Sequence, residues 1–164
     1  MIEIVGLIDE DMVNYKKCSM YIAFPKCSFK CGKENCQNYK LSFTQPLVVE
    51  PERICERYLN NPLTNAIVIG GLEPLDSFFD LLSLIDCFRY KYKCEDDIVI
   101  YTGYTEEEVF SSETKLAAQC KNLLQYKNII VKFGRYIPNQ EPHYDEVLGV
   151  KLISDNQYAR RITE

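Results

Sequence analysis

The chain has 164 residues, of which 46% are hydrophobic and 26% are charged, and its formal net charge is −5. This length and composition predict one globular domain over residues 1–164 with its own hydrophobic core. The negative charge argues against nucleic acid or an anionic membrane as a partner, and the lack of a long apolar run or of a signal pattern at the N-terminus favours a cytoplasmic protein.

The first predicted strand covers residues 19–24, and Pro25 ends it. A cysteine-rich loop, residues 26–38, follows directly. A helix is then expected to begin at Pro51, because proline suits the first turn of a helix, and to stop before Pro62.

The second predicted strand, residues 66–69, has no polar alternation, which is typical of a strand covered on both faces of a parallel sheet. Two glycines, Gly70 and Gly71, come immediately after it. Beyond Pro74 the apolar residues repeat at helical spacing, which predicts a long helix. Residues 98–101 are expected to form another buried strand.

Thr105 and Glu108 form a capping box, so a helix is expected to begin there. A further apolar helical stripe spans residues 116–124, and the last predicted strand is residues 129–131. Strands that alternate with helices indicate a parallel sheet. A closed eight-fold barrel needs ~250 residues, so we predict an α/β fold with a mostly parallel sheet, either a small partial (open) βα barrel or a small doubly wound sheet, with one or two more strands at the ends.

Three segments with functional residue types each follow a predicted strand: the cysteine loop, the two glycines, and the turn at Thr102 and Gly103. The carboxyl ends of parallel strands lie at one edge of the sheet, where α/β proteins bind their ligands. We therefore expect the three segments to meet around one site.

Cys27, Cys31 and Cys36 form a C-x3-C-x4-C array in the loop. Thiolates are soft ligands that suit iron–sulfur clusters or zinc. A closed zinc site would need a fourth ligand, for which Cys18 is a candidate, although a packing role fits Cys18 better. A 4Fe–4S cluster held by three cysteines leaves one iron open, and this open iron can bind a substrate or cofactor.

The cysteine loop resembles the cluster loop of radical S-adenosylmethionine enzymes, and the stretch from Gly70 to Leu75 resembles their Gly-Gly-Glu-Pro motif. Tyr101–Thr105 resembles a signature of the activating proteins of anaerobic (class III) ribonucleotide reductase. Cys36–Asn38 and Ser154–Gln157 resemble two further motifs of that family, in the same order along the chain.

The resemblance implies that Cys27, Cys31 and Cys36 ligate three irons of a 4Fe–4S cluster, and that the amino and carboxylate groups of S-adenosylmethionine chelate the fourth. Reduction of the cluster would then cleave S-adenosylmethionine and give a 5′-deoxyadenosyl radical. In such enzymes the cofactor supplies the difficult chemistry, while the protein supplies orientation and keeps water and oxygen away.

The resemblance also implies a set of residues that contact S-adenosylmethionine. Backbone groups around Gly70, Gly71 and Glu73 would hold its methionine amino group, and Asn38 and Thr102 would lie close to its nucleoside or methionyl part. Apart from the resemblance, Lys132 and Arg135 near the last predicted strand are candidates to meet the carboxylate of the cofactor or an acidic partner surface, although a solvated pair explains their positions at least as well.

In the family the radical is passed to a glycine of a glycyl-radical enzyme such as anaerobic ribonucleotide reductase, and a flavodoxin-like protein is the expected reductant. The chain departs from the family pattern in having two more residues between Cys31 and Cys36 and an inserted Leu72. Two other functions remain open at this point: a radical enzyme that acts on another peptide or small molecule, and an iron–sulfur or zinc module without turnover.

Overall fold

The computed structural model describes residues 1–164 and contains ten β-strands and three α-helices. The strands are β1 Ile2–Ile4, β2 Gly6–Asp11, β3 Ser19–Phe24, β4 Leu47–Val49, β5 Ala66–Gly71, β6 Asp97–Tyr101, β7 Ile129–Phe133, β8 His143–Asp145, β9 Val150–Leu152 and β10 Tyr158–Arg161. The α-helices are α1 Pro51–Leu59, α2 Phe78–Asp86 and α3 Lys115–Cys120.

The central feature is an open six-stranded sheet in the order β10-β7-β6-β5-β3-β2. Its four inner strands, β7, β6, β5 and β3, are parallel, whereas the edge strands β2 and β10 pair with them in the antiparallel sense. The α/β class, the mostly parallel sheet and the additional strands at the ends are therefore confirmed. No closed barrel is formed, because the strand order ends on two unpaired edges.

The predicted helices are present, but they are interrupted. Helix α1 begins at Pro51 as expected, and the long pattern after Pro74 consists of a 3₁₀ turn, α2 and a π-helical turn. The capping box is formed, because the Thr105 N–H donates to Glu108 Oε2 (2.8 Å) and the Glu108 N–H donates to Thr105 Oγ1 (3.2 Å). Only one π-helical turn follows it, since Ser112 adopts an extended conformation and the helix starts again at α3.

Alternate residues of the inner strands are buried on opposite faces of the sheet. Ile67 and Ile98 belong to a core cluster of 28 buried residues that includes the core side chains of the helices. Val68 and Val99 belong to a smaller cluster of 8, to which no helix contributes. The absence of polar alternation in these strands thus reflects burial on both faces. A doubly wound sheet is excluded, because the second face is covered by the β8–β9 hairpin and by Tyr15 of the β2–β3 connection instead of helices.

No helix has the length and apolar character that crossing a bilayer requires.

Candidate functional site

A cavity of about 530 Å³ lies at the carboxyl ends of β3, β5, β6 and β7. Its volume is in the range of pockets that bind small organic ligands. All eight residues singled out in the sequence line it, namely Cys27, Cys31, Cys36, Asn38, Gly70, Gly71, Glu73 and Thr102. The parallel sheet thus brings together the three segments that the sequence separates by up to 75 positions.

The cysteine loop supplies three free, partly exposed thiols to one wall of this cavity. Burial raises the pKa of Cys27 to about 11, assisted by the negative charges of Glu73 and Asp76. Burial, with the nearby thiol of Cys36, also raises the pKa of Cys31. These thiols are protonated at neutral pH without a metal, so ligation must release protons.

The three thiols lie on one short loop, next to the cavity. No group of three or more His, Cys, Asp or Glu side chains is arranged to hold a single metal ion. Three soft donors on one short loop beside a cavity are chemically appropriate for an iron–sulfur cluster.

Cys18 lies at the opposite end of β3 from the cysteine loop, where its carbonyl accepts a hydrogen bond from the Asn65 N–H. A six-residue strand separates the two positions by roughly 20 Å. The closed four-ligand site that would include Cys18 is therefore excluded. Cys55 and Cys120 are fully buried core residues, as expected.

The loop is anchored to the rest of the rim by a small hydrogen-bonded group. The Ser28 N–H donates to Asp76 Oδ2 (2.6 Å), and the Tyr104 hydroxyl donates to Asp76 Oδ1 (2.6 Å). The Glu73 N–H donates to the carbonyl of Lys26 (2.8 Å). Sequence reasoning did not single out Asp76, although its place in the first turn after Pro74 brings it to the rim.

The two glycines end β5, within the strand instead of after it as predicted. Gly71 has φ +94°, and a Cβ there would lie 2.6 Å from the backbone nitrogen of Phe24, so only glycine fits. The Gly71 N–H donates to Tyr21 Oη (2.7 Å), and Asn38 Nδ2 donates to the Gly71 carbonyl (2.8 Å). Asn38 therefore ties the end of the cysteine loop to the glycine turn.

Glu73 is only 4% exposed, and its carboxylate joins the ends of β5 and β6. Oε1 accepts hydrogen bonds from the Leu75 N–H (3.1 Å) and the Thr102 hydroxyl (2.9 Å), and Oε2 accepts one from the Gly103 N–H (2.8 Å). Burial raises the pKa of Glu73 to about 7 against the effect of these hydrogen bonds, which favour the charged form. The inserted Leu72 thus leaves Glu73 pointing at the rim.

Two further residues of the cavity wall have unusual surroundings. Lys132 is 7% exposed, and burial lowers its pKa to about 8, while its Nζ donates to the Gly134 carbonyl (2.9 Å). The interpretation of Lys132 as a solvated residue is wrong. Gln157 is 5% exposed, and its Oε1 is buried without a hydrogen-bond partner. Such an atom is normally satisfied by a ligand or by water.

The surroundings of these two residues cannot be inferred from a local sequence pattern. Gln157 directly precedes β10, which pairs with β7, and this pairing brings Gln157 to the cavity. Arg135, which had been grouped with Lys132, instead forms a bidentate ion pair with Glu108 at 3.0 Å.

Residues 16–157 match the protein family described as "4Fe-4S single cluster domain". No curated protein and no solved structure matches the chain significantly. The matched region begins before β3 and ends next to β10, so it includes the cysteine loop and every strand that contributes to the cavity. The chain therefore belongs to the 4Fe-4S single cluster domain family.

Proposed function

We propose that this protein is a radical S-adenosylmethionine enzyme of the activating type, with a 4Fe–4S cluster bound by Cys27, Cys31 and Cys36. One observation carries the proposal: the three thiols line the same cavity as the glycine turn and the turn at Thr102. An iron–sulfur module without turnover needs no such cavity beside its ligands, whereas an enzyme that presents a small molecule to its cluster does.

When bound, the cluster supplies the electron that cleaves S-adenosylmethionine to methionine and a 5′-deoxyadenosyl radical. The residues of the chain position the substrate for this reaction. Gly70 and Gly71 line the cavity at the end of β5 without a side chain of their own, and this is the part of the ligand site that we assign to them. Asn38 and Glu73 hold the glycine turn, the cysteine loop and Thr102 in one arrangement, and such preorganisation is what a protein contributes to cofactor chemistry.

The cavity also contains polar groups that are complementary to the carboxylate and amino groups of an amino acid. The ammonium group of Lys132 is positioned to attract the carboxylate of the methionyl part. Gln157 Oε1 is an unsatisfied acceptor, which fits an amino or hydroxyl group of the ligand. Both groups are poorly explained as structural elements, because burying a cation and an unpaired carbonyl oxygen lowers the stability of the fold.

The proposed macromolecular substrate is a glycyl-radical enzyme resembling anaerobic ribonucleotide reductase, with a flavodoxin-like electron donor. The resemblance of Tyr101–Thr105 to the activase signature supports this choice. A radical enzyme that acts on another peptide or small molecule would share the cofactors and differ only in the molecule from which the 5′-deoxyadenosyl radical abstracts a hydrogen atom.

The test begins with protein purified without oxygen and reconstituted with iron and sulfide. We expect dithionite and S-adenosylmethionine to yield 5′-deoxyadenosine with the wild type and with Cys18→Ala, but not with Cys31→Ala. A protein that holds about four irons and forms no product would be an iron–sulfur module without turnover. Zinc in place of iron would refute the proposal.

The partner is tested separately by adding an anaerobic ribonucleotide reductase to the active mixture. A glycyl radical detected by electron paramagnetic resonance would support the activase function. Formation of 5′-deoxyadenosine without a glycyl radical would instead support a different peptide or a small molecule as the substrate.

A further inference from the structure

One edge of strand β9 has no hydrogen-bonded neighbour. The strand, Val150–Leu152, pairs only with β8, so the sheet that they form has two strands. The main chain of residues 150–153 forms no backbone hydrogen bond outside this pair. In a strand that is paired on one side, alternate N–H and C=O groups point away from the partner strand. Strand β9 therefore presents a row of unpaired donors and acceptors.

This free edge borders the cavity of the candidate site. Four consecutive residues, 150–153, line the cavity. Because successive side chains of a strand point to opposite faces, a wall made of consecutive residues exposes the edge of the strand and its main chain. The side chains agree with this view, since Leu152 is 5% exposed and packs on the smaller core cluster, whereas Lys151 is exposed. The unpaired groups of β9 thus face the space that the three thiols also line.

The connection between β2 and β3 forms a second wall of the same space. Val13 and Asn14 of this connection line the cavity, and Val13 is 75% exposed. The Lys16 N–H donates to the Leu148 carbonyl (2.7 Å), which joins the connection to the chain just before β9. Beyond this hydrogen bond the two segments line the cavity as separate walls. We call the space between Val13–Asn14 and residues 150–153 the β9 slot.

We propose that the β9 slot binds an extended segment of the protein substrate, which adds to β9 as a further strand. This inference rests on the proposed function and deepens it, because it assigns how the partner protein presents its glycine. An extended main chain repeats its donors and acceptors at the spacing of β9 itself, about 3.3 Å per residue. It is therefore the occupant that satisfies a whole strand edge, as in other cases of strand addition.

Recognition through the main chain suits a glycine in particular. A glycine has no side chain, so an enzyme that abstracts hydrogen from its Cα has to recognise the backbone of the surrounding residues. Pairing with β9 does this and also fixes the direction of the segment along the cavity. Val13 and Ile153 are partly or largely exposed apolar residues of the slot, at 75% and 38%. They are available to contact the side chains that flank the glycine.

The test measures binding of a synthetic heptapeptide to the cluster-loaded protein by fluorescence anisotropy. The peptide copies the sequence around the radical glycine of an anaerobic ribonucleotide reductase, and in each member of a series one amide nitrogen is methylated. We expect a period of two: methylation at alternate positions should raise the Kd about 10-fold or more, because each removes one hydrogen bond to β9. Methylation at the positions between them should leave the Kd within about 2-fold, since those N–H groups point away from β9. Lys151→Ala should also bind within about 2-fold, because its side chain takes no part.

Hydrogen exchange locates the bound peptide on the protein. We expect the amides of residues 150–153 to exchange more slowly when the peptide is bound. The amides of β2, an edge strand of the main sheet that does not line the cavity, serve as the matched control and should be unchanged.

Three results would overturn the β9 slot: no binding, a Kd that rises equally at every methylated position or at none, or no protection of residues 150–153. Formation of 5′-deoxyadenosine by the same preparation, with dithionite and S-adenosylmethionine but without peptide, tests the proposed function separately. Product without peptide binding would leave the proposed function and refute the slot. Periodic binding without product would support the slot and contradict the proposed function.

Discussion

Replacing Lys132 with methionine should make the protein more stable and less functional. Burial lowers the pKa of Lys132 from the usual 10.5 to about 8. Each pH unit between those values corresponds to about 1.4 kcal/mol, so keeping the ammonium group in its buried position costs about 3 kcal/mol at pH 7. Lys132→Met removes this cost and loses the hydrogen bond to the Gly134 carbonyl, worth about 1 kcal/mol. The expected net gain is about 2 kcal/mol.

The pH dependence of this gain has a definite sign. A lysine whose pKa is lower in the folded than in the unfolded chain destabilises the fold at every pH below the folded pKa. The penalty then disappears as the pH rises from about 8 towards 10.5. The stabilisation by Lys132→Met should therefore be complete at pH 7 and should shrink between these values.

Urea unfolding of wild type and Lys132→Met at pH 7 and pH 10 measures both effects, and equilibrium binding of S-adenosylmethionine to the reconstituted proteins measures the functional loss. We expect the variant to bind S-adenosylmethionine about 10-fold more weakly or worse, as befits loss of a buried charge contact. A variant that is less stable than wild type at pH 7, or equally stabilised at both pH values, would refute the reasoning about the buried ammonium group.

Three further changes test other parts of the site. Cys27→Ala should abolish iron binding after reconstitution, whereas Cys18→Ala should keep the wild-type iron content, as measured by iron analysis; loss of iron in both would reinstate a four-ligand site. Gly71→Ala should lower the free energy of unfolding by about 2 kcal/mol or more, measured by urea denaturation, because its Cβ would collide with the β3 backbone; an unchanged value would contradict the tight approach. Gln157→Leu should preserve iron content but weaken S-adenosylmethionine binding by about 10-fold; unchanged affinity would show that its carbonyl oxygen does not contact the ligand.

The sequence was informative wherever burial on both faces left a local pattern. The four strands predicted at residues 19–24, 66–69, 98–101 and 129–131 are all present. They could be predicted because a continuous apolar run bounded by glycine, proline or polar residues has few other interpretations. Their parallel pairing then follows from the alternation with helices. The meeting of the three functional segments follows in turn, since the carboxyl ends of parallel strands share one edge.

The short strands and the burial of the cavity residues could not be predicted, because they depend on contacts between distant parts of the chain. Strands β1 and β4 have three residues each, which is too short for a periodic pattern, and they pair with one another although β2, β3 and the cysteine loop lie between them in the chain. Lys132 looked solvated because burial of its side chain requires the C-terminal segment, which folds over the smaller core cluster. The unsatisfied oxygen of Gln157 arises from the same packing.

The two buried charged residues of the cavity wall, Glu73 and Lys132, differ in how well the protein compensates their charges. Glu73 uses three hydrogen bonds to fix the ends of β5 and β6. Burial nevertheless raises its pKa to about 7, because the hydrogen bonds offset the cost of burying the charge only in part. Lys132 has one backbone acceptor and an unfavourable pKa, so its charge is poorly compensated by the protein itself. A fixed carboxylate next to an under-compensated cation leaves the cavity ready for an anionic group at Lys132.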